Sequence, residues 1–325
     1  LALVVYTLFR LPKKLPHPLL WSPIIAFVCV SVFSLLINAH RFAFTDVISS
    51  GLYAIRWAGY AAVYLLVLLW PVKSLFWLWG LYGTGLLVAC LGFVQYFSYP
   101  YLRNLSYLGW DPHLYRMFST LFDPNFAALL FVLTLILGAY LWKGAKLKLA
   151  IGVAQVATLV ALFLTYSRSG YLAFAVAMIV TLKLYKQSRL ILIAIFLFVG
   201  VLFILPKPGG EGVRLLRTAS TFSRVGNWQR GMTLIRERPI FGHGFNTLRY
   251  VQRAHGWIDE AQTVSHAAAG IDNSLQFVWA TTGILGFGVY LWMWKTIITM
   301  SWVAVRSKKH KDAGIVLLVS AASML

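Results

Sequence analysis

The sequence predicts an all-α protein, a polytopic membrane helix bundle with one long external loop carrying short amphipathic helices. Composition is the first observation: of 325 residues, 60% are apolar, 16% aromatic and only 12% charged, with a mean hydropathy of +0.75. A soluble domain carries about 25% charged residues, and one soluble core of this size cannot hide so much apolar surface. Lipid is therefore the main solvent. The second observation is a series of apolar runs long enough to cross a bilayer, and the third is how Lys and Arg divide between the connecting loops. Together these exclude a soluble enzyme, a disulfide-stapled secreted module and a disordered tail. The excess of 29 Lys+Arg over 9 Asp+Glu, +20 in all, would suggest nucleic acid in a soluble protein. In a lipid-embedded chain it implies no such partner.

A bilayer core about 30 Å thick needs about 20 apolar residues per helix. In chain order, a partial span over 1–9 is followed by candidates at 19–37, 51–70, 75–98, 122–142, 149–166, 170–185 and 190–205. This gives a transmembrane bundle of about eight spans over 1–205. Residues 206–273 are polar and rich in Gly and Arg, and form the external loop region. A span at 274–299 and a partial one at 313–325 complete the chain as a second transmembrane stretch, 274–325. The first and last spans read as truncated, as in a piece of a longer protein, and no signal-peptide pattern is visible. Cys29 and Cys90 lie mid-span, far apart in sequence, and read as small buried apolar residues with no disulfide or metal role.

Orientation follows from the short loops. Arg10/Lys13/Lys14, Lys73, Lys143/Lys146/Lys148, Lys183/Lys186/Arg189 and Arg306/Lys308/Lys309/Lys311 all fall on alternate loops, which marks that side as cytoplasmic and the 206–273 loop as external. Twelve of the 13 lysines lie on the cytoplasmic side, Lys207 being the exception, whereas 13 of the 16 arginines lie outside. Eight of the nine acids are outside too, all but Asp312. Topogenesis accepts either cation, so it accounts for the inner lysines and not for the outer arginines. Arginine's planar fork, always charged, suits phosphate and carboxylate. The plainer reading is a solvated loop with surface Arg–acid pairs.

Four stretches stand out on the external face. Arg116 precedes Asp123-Pro124-Asn125, where Asp as N-cap and Pro in the first turn start a helix; Arg116 itself has only interfacial anchoring as a structural excuse. Ser167-Arg168-Ser169-Gly170 is a tight turn that carries a cation to headgroup depth. Two readings of Arg168 stand, snorkelling and contact with the phosphates of a lipid-linked substrate. Next, Arg224-Val225-Gly226-Asn227-Trp228 opens an amphipathic helix, with Asn227 as cap and Trp228, Met232 and Ile235 on one face. Pro239 ends that helix before the Gly-hinged turn Phe241-Gly242-His243-Gly244. Last, Asp272-Asn273 precedes the next span, where Asp272 reads either as the helix cap or as a carboxylate able to act as general base.

In their order, and with one long loop between the third and fourth, these stretches resemble the bacterial O-antigen ligase-like membrane proteins. That family comprises O-antigen ligases, O-antigen polymerases and protein O-oligosaccharyltransferases. The resemblance covers most of residues 110–290. It rests on Arg116…Asp123-Pro124-Asn125, on Ser167-Arg168-Ser169-Gly170, on Arg224…Trp228 with Arg238-Pro239-Ile240-Phe241-Gly242-His243-Gly244, and on Asp272-Asn273 with Gly283-x-x-Gly286. It implies a GT-C-like membrane glycosyltransferase in the bacterial inner membrane that needs no metal or cofactor. It also implies an undecaprenyl-pyrophosphate-linked glycan donor and a glycan, lipid or protein acceptor, among membrane lipids. Carried over residue by residue, Arg168 and Arg224 match arginines that hold the pyrophosphate. Asp272 stands where ligases have a His proposed to activate the acceptor hydroxyl, a departure that leaves His266 and His243 as alternative imidazoles. Arg116, Asn125, Asn273 and Arg56 complete the candidate substrate-binding set. Ligase and polymerase differ only in acceptor. A transporter or flippase is the competing class, and it calls for repeats or ionisable residues deep in the membrane. No repeat is visible, and Arg56 reads as lying a few residues inside a span's external end.

Overall fold

The computed structural model describes residues 18–69, 73–102, 104–105, 110–186, 188–206, 208–209, 211–214, 219–259 and 270–324. Helix follows helix, with no strand among the described residues: α1 (Trp21–Asn38), α2 (Phe44–Leu69), α3 (Ser74–Ser98), α4 (Pro124–Trp142), α5 (Lys148–Leu164), α6 (Arg168–Leu184), α7 (Ser188–Ile204), α8 (Ala219–Glu237), α9 (Leu248–Ala254), α10 (Ser274–Arg306) and α11 (Lys311–Met324). Five of these, α1 to α4 and α10, are long and apolar enough to cross a membrane, and α5 is a shorter apolar helix. The protein is an all-α, multi-pass membrane bundle. The 1–9 span lies outside the described residues.

Most helices coincide with the apolar runs to within two or three residues, because a continuous apolar run of that length has no other way to satisfy its backbone in lipid. Two differ. The second helix starts at Phe44 instead of 51, since Thr45, Asp46, Ser49 and Ser50 join it despite their polarity. Arg56 is consequently the thirteenth of its 26 residues, mid-helix instead of near one end. The 274–299 span runs on to Arg306 and is interrupted at Gly283. Cys29 and Cys90 also depart from expectation, both being exposed.

The chain divides into two compact units. One gathers the described parts of Leu1–Pro71, Tyr107–Trp110 and Thr218–Thr296; the other those of Val72–Ser106, Asp111–Arg217 and Ile297–Leu325. In the second unit α4 is central. It is apolar all round, as a helix enclosed by neighbours must be, and Ala127, Ala128, Phe131, Val132 and Leu135 pack with residues of α3, α5, α6 and α11. Close approach depends on small residues: a β-carbon at Gly170 would overlap that of Ala128. At one end Lys143 Nζ lies 2.7 Å from Asp312 Oδ1 and 2.7 Å from the Tyr185 hydroxyl, so the lone acid of the Lys-rich loops is paired.

The first unit holds α1, α2, α8, α9 and the first part of α10. Phe27 of α1 packs against Trp57, Phe245 and Tyr290 with ring centroids 4.9, 6.5 and 6.1 Å away. Leu234 and Ile235 of α8 bury against Leu248, Val251 and Ala280.

Candidate functional site

In the second unit, the 113–119 segment is irregular yet largely buried. Its backbone polar groups need partners, and Gln95 supplies several: Oε1 accepts from Phe118 N (2.9 Å) and Ser119 N (3.1 Å), while Nε2 donates to Arg116 O (3.4 Å). Arg116 is buried in this segment. Its Nε donates to Thr165 O at 2.9 Å and an Nη to Tyr166 O at 3.5 Å. A cation at carbonyls just past the end of α5 offsets that helix's dipole, so Arg116 has a structural role that its sequence context did not disclose.

The expected cap at Asp123 is present, its carboxylate accepting from Asn125 N and Phe126 N at 2.6 and 3.1 Å. Ser167 caps α6 by accepting from Gly170 N at 3.2 Å. Its hydroxyl also donates to Asn125 Oδ1 at 2.7 Å, and Ser169 Oγ lies 3.1 Å from Ser167 Oγ. Two stretches 42 residues apart thus meet, and the N-termini of α4 and α6 lie side by side with Arg168 as the first residue of α6. Amide N–H groups and dipole ends of that kind favour an anion.

In the first unit, α8 begins at Ala219, so Asn227 is an interior residue and not a cap. The small polar residues ahead of it carry no apolar period that would have signalled helix. Its side chain instead donates from Nδ2 to Asp272 Oδ2 at 3.2 Å. The buried face of α8 is Gly231, Leu234 and Ile235, and Trp228, read from the sequence as sharing a face with Met232 and Ile235, is 53% exposed. A β-carbon at Gly231 would stand 3.2 Å from Ile271 Cδ1, which is how closely α8 meets the strip leading into α10. Arg224 precedes Asn227 by three residues, one helical turn on the same face.

The cap of α10 is Asn273, whose Oδ1 accepts from Leu275 N at 3.0 Å and Gln276 N at 3.1 Å. Asp272 is therefore not the cap. It is exposed, beside the turn of α8 that carries Arg224. Asp272 thus bonds to Asn227, which the sequence assigned to capping and which lies one turn of α8 from Arg224. Arg168 belongs to the other unit.

The break in α10 explains two glycine motifs at once. Gly283 has φ +68° and ψ −171°, a conformation essentially confined to glycine. Freed backbone groups must be paired inside lipid, and residues 239–244 pair them. His243 N donates to Ala280 O (2.9 Å), Gly244 N to Thr281 O (3.0 Å) and Ile284 N to Pro239 O (2.8 Å). Ser34 Oγ lies 2.8 Å from Thr281 O and 2.6 Å from Phe241 O.

His243 is fully buried within this lock. Its Nε2 lies 3.0 Å from Leu234 O and its Nδ1 3.4 Å from an Arg41 Nη, which assigns the neutral tautomer with the proton on Nε2. Its pKa is pushed down to about 4, by burial above all. The Arg41 and Arg238 guanidinium groups add to this, against the Leu234 bond and Glu237. A buried, doubly engaged imidazole pins the C-terminal end of α8 and is not presented to a substrate. An unfolded His titrates near 6.5, so between about pH 6.5 and 4 the unfolded chain binds the extra proton. Stability is expected to fall by up to about 3 kcal/mol as pH drops through that window. Unfolding midpoints of wild type and His243→Gln from pH 7 to 4.5 check this: the variant loses that part of the slope, and equal slopes would refute the assignment.

Arg56 is exposed on α2, its Nε donating to Tyr60 Oη at 2.7 Å. His266 lies outside the described residues. Sequence reasoning passed over Arg41, a single cation closing a span, which only the fold brings beside Arg238 and His243.

An all-α, multi-pass membrane bundle is the class that the fold defines. A family model described as O-antigen ligase matches residues 153–291, the same family that the motifs resemble. The matched stretch contains Arg168, Arg224, His243, Asp272 and both glycine motifs, and supports a glycosyl-transferring membrane protein in general terms. No curated protein matches the chain.

Proposed function

We propose that this protein transfers a glycan from an undecaprenyl-pyrophosphate carrier to an acceptor hydroxyl at the outer face of the bacterial inner membrane. The observation that carries the reading is Asp272. Asn273 performs the capping, so the carboxylate beside it is left for other work, 3.2 Å from Nδ2 of Asn227, which lies one turn of α8 from Arg224. The acceptor oxygen attacks the anomeric carbon, its proton passes to the Asp272 carboxylate, and the bond from that carbon to the pyrophosphate oxygen breaks. The electron pair leaves with the pyrophosphate. Negative charge grows on the leaving group, and fixed guanidinium groups stabilise it more in the transition state than before. We assign that role to Arg224, and propose Arg168, beside the α4 and α6 N-termini and Asn125, as a second anion-holding arginine.

The interruption of α10 and the mid-helix Arg56 are features that transporters also use. In α10, however, protein backbone engages Ala280 O, Thr281 O and Ile284 N, leaving none of these to coordinate an ion.

The test is complementation of a surface-glycan mutant by the full-length protein and by Arg168→Ala, Arg224→Ala and Asp272→Ala at matched expression. Each substitution is expected to abolish surface glycan. Accumulated lipid-linked polymer then identifies a ligase, and single lipid-linked repeat units a polymerase. Normal glycan from all three variants would overturn the assignment.

A further inference from the structure

At the far end of α8 from Arg224 a second group of cations sits at the edge of an apolar surface. With 18 residues, α1 is about 27 Å long, close to the thickness of a bilayer core. Its ends therefore lie at headgroup depth, and Arg41 follows three residues after it. Phe33, Leu36 and Ile37, in the last turns of α1, are all exposed, as are Ile240 and Phe241 on the loop packed against them. The Phe33 and Phe241 rings meet edge to face, 5.8 Å between centroids. Between α1 and this loop lies a crevice of about 360 Å³ lined by Ile37, Asn38, Glu237, Arg238, Ile240 and Phe241.

Arg238 lines that crevice, and Arg41, bonded to the lining residue Asn38, stands at its edge. Arg238 has no side-chain hydrogen bond or ion pair among the described residues. Arg41 hydrogen-bonds through Nη1, at long distances of 3.5 Å to Asn38 Oδ1 and 3.4 Å to His243 Nδ1, and its guanidinium carbon lies 5.8 Å from the Phe42 ring centroid. Both stand close enough to His243 to disfavour its charged form. The one acid, Glu237, directs its oxygens to imidazoles, 2.9 Å from His255 Nε2 and 3.5 Å from His243 Nε2. The two guanidinium groups outnumber the one carboxylate, so the cluster carries the net positive charge that suits a phosphodiester.

We propose that this crevice binds an anionic glycerophospholipid of the membrane, its phosphodiester between Arg41 and Arg238 and an acyl chain along Phe33, Ile37, Ile240 and Phe241. Headgroup depth, an apolar floor and two under-used guanidinium groups at its rim match that molecule's three parts. The site is distinct from the one proposed for transfer, since 14 residues of helix and helical turn separate Arg238 from Arg224, about 21 Å. It does not depend on that proposal.

The experiment is lipid retention by the full-length protein in detergent, read by native mass spectrometry after equilibration with phosphatidylglycerol or phosphatidylcholine. Phosphatidylglycerol is expected to be retained preferentially, and Arg238→Gln to weaken that retention about fivefold, the usual effect of one cation near an anionic headgroup. Arg238→Gln removes no hydrogen bond from the fold, and an unchanged unfolding midpoint verifies that. Ile240→Ser is expected to weaken retention as well. Arms with inorganic phosphate alone and with polyprenyl phosphate identify the source. The proposal fails if Arg238→Gln retains phosphatidylglycerol as wild type does, if inorganic phosphate occupies the site equally well, or if polyprenyl phosphate is preferred.

Discussion

Asp272→Asn is expected to lower glycan transfer by about 10²–10⁴-fold, the usual contribution of a positioned general base, and to leave the unfolding midpoint unchanged. Its neighbour should behave in the opposite way. Asn273→Ala removes the oxygen that accepts from Leu275 N and Gln276 N, so it is expected to cost about 1 kcal/mol of stability with transfer reduced only modestly. The pair is informative because the two residues are adjacent, polar and exposed, and differ only in what they hold. An amide at 272 can still accept from Asn227 Nδ2, so the α8 contact survives the substitution while the base is lost. Transfer assays and thermal unfolding on both variants check the expectation. Wild-type transfer by Asp272→Asn would remove the carboxylate from the mechanism. A stability loss equal to that of Asn273→Ala would make Asp272 structural.

That contrast also marks where the sequence is informative and where it is silent. An apolar run of about 20 residues has one stable state in lipid, and α1, α3, α4 and the shorter helices follow their runs closely. Capping by Asp123 was legible too, because a cap acts on its own first turn. Asn227, Asp272 and Asn273 were harder. Each is a good cap by type, and only the true helix starts, at Ala219 and Ser274, decide which one acts. Arg116, His243 and Arg41 depend on partners 49, 9 and 202 residues away. Local pattern cannot tell a cation that ties down a helix end from one waiting for a phosphate. The family resemblance carried Arg224 and Asp272 to their roles. Their link through Asn227 needed the fold.

The largest stability effect is expected from Gly283→Ala. At φ +68° and ψ −171° a β-carbon costs about 1–3 kcal/mol in backbone strain alone. It would also stand 2.6 Å from Phe241 N and closer still to the Ile240 carbonyl. That overlap lies against backbone, which cannot rotate aside, and adds about 1–3 kcal/mol. The sum is enough to empty the folded state of a marginal protein. Two neighbours calibrate the result. Gly286→Ala meets the Thr282 side chain down to its β-carbon, a clash without the backbone strain of a positive φ, and Gly288→Ala meets nothing within 4 Å. Folded yield and unfolding midpoint in detergent should therefore rank 283 far below 286, with 288 near wild type. Gly242→Ala should resemble Gly283→Ala, because its β-carbon would stand 2.6 Å from Gly283 N. Since both break one backbone contact, the double variant should cost clearly less than the sum of the two. Additive losses would mean that the glycines act separately. Coupled losses would mean that one joint sets the angle at which the first turns of α10 hold Asn273 and Asp272 against α8, so the glycine motifs support the site by aiming the helix.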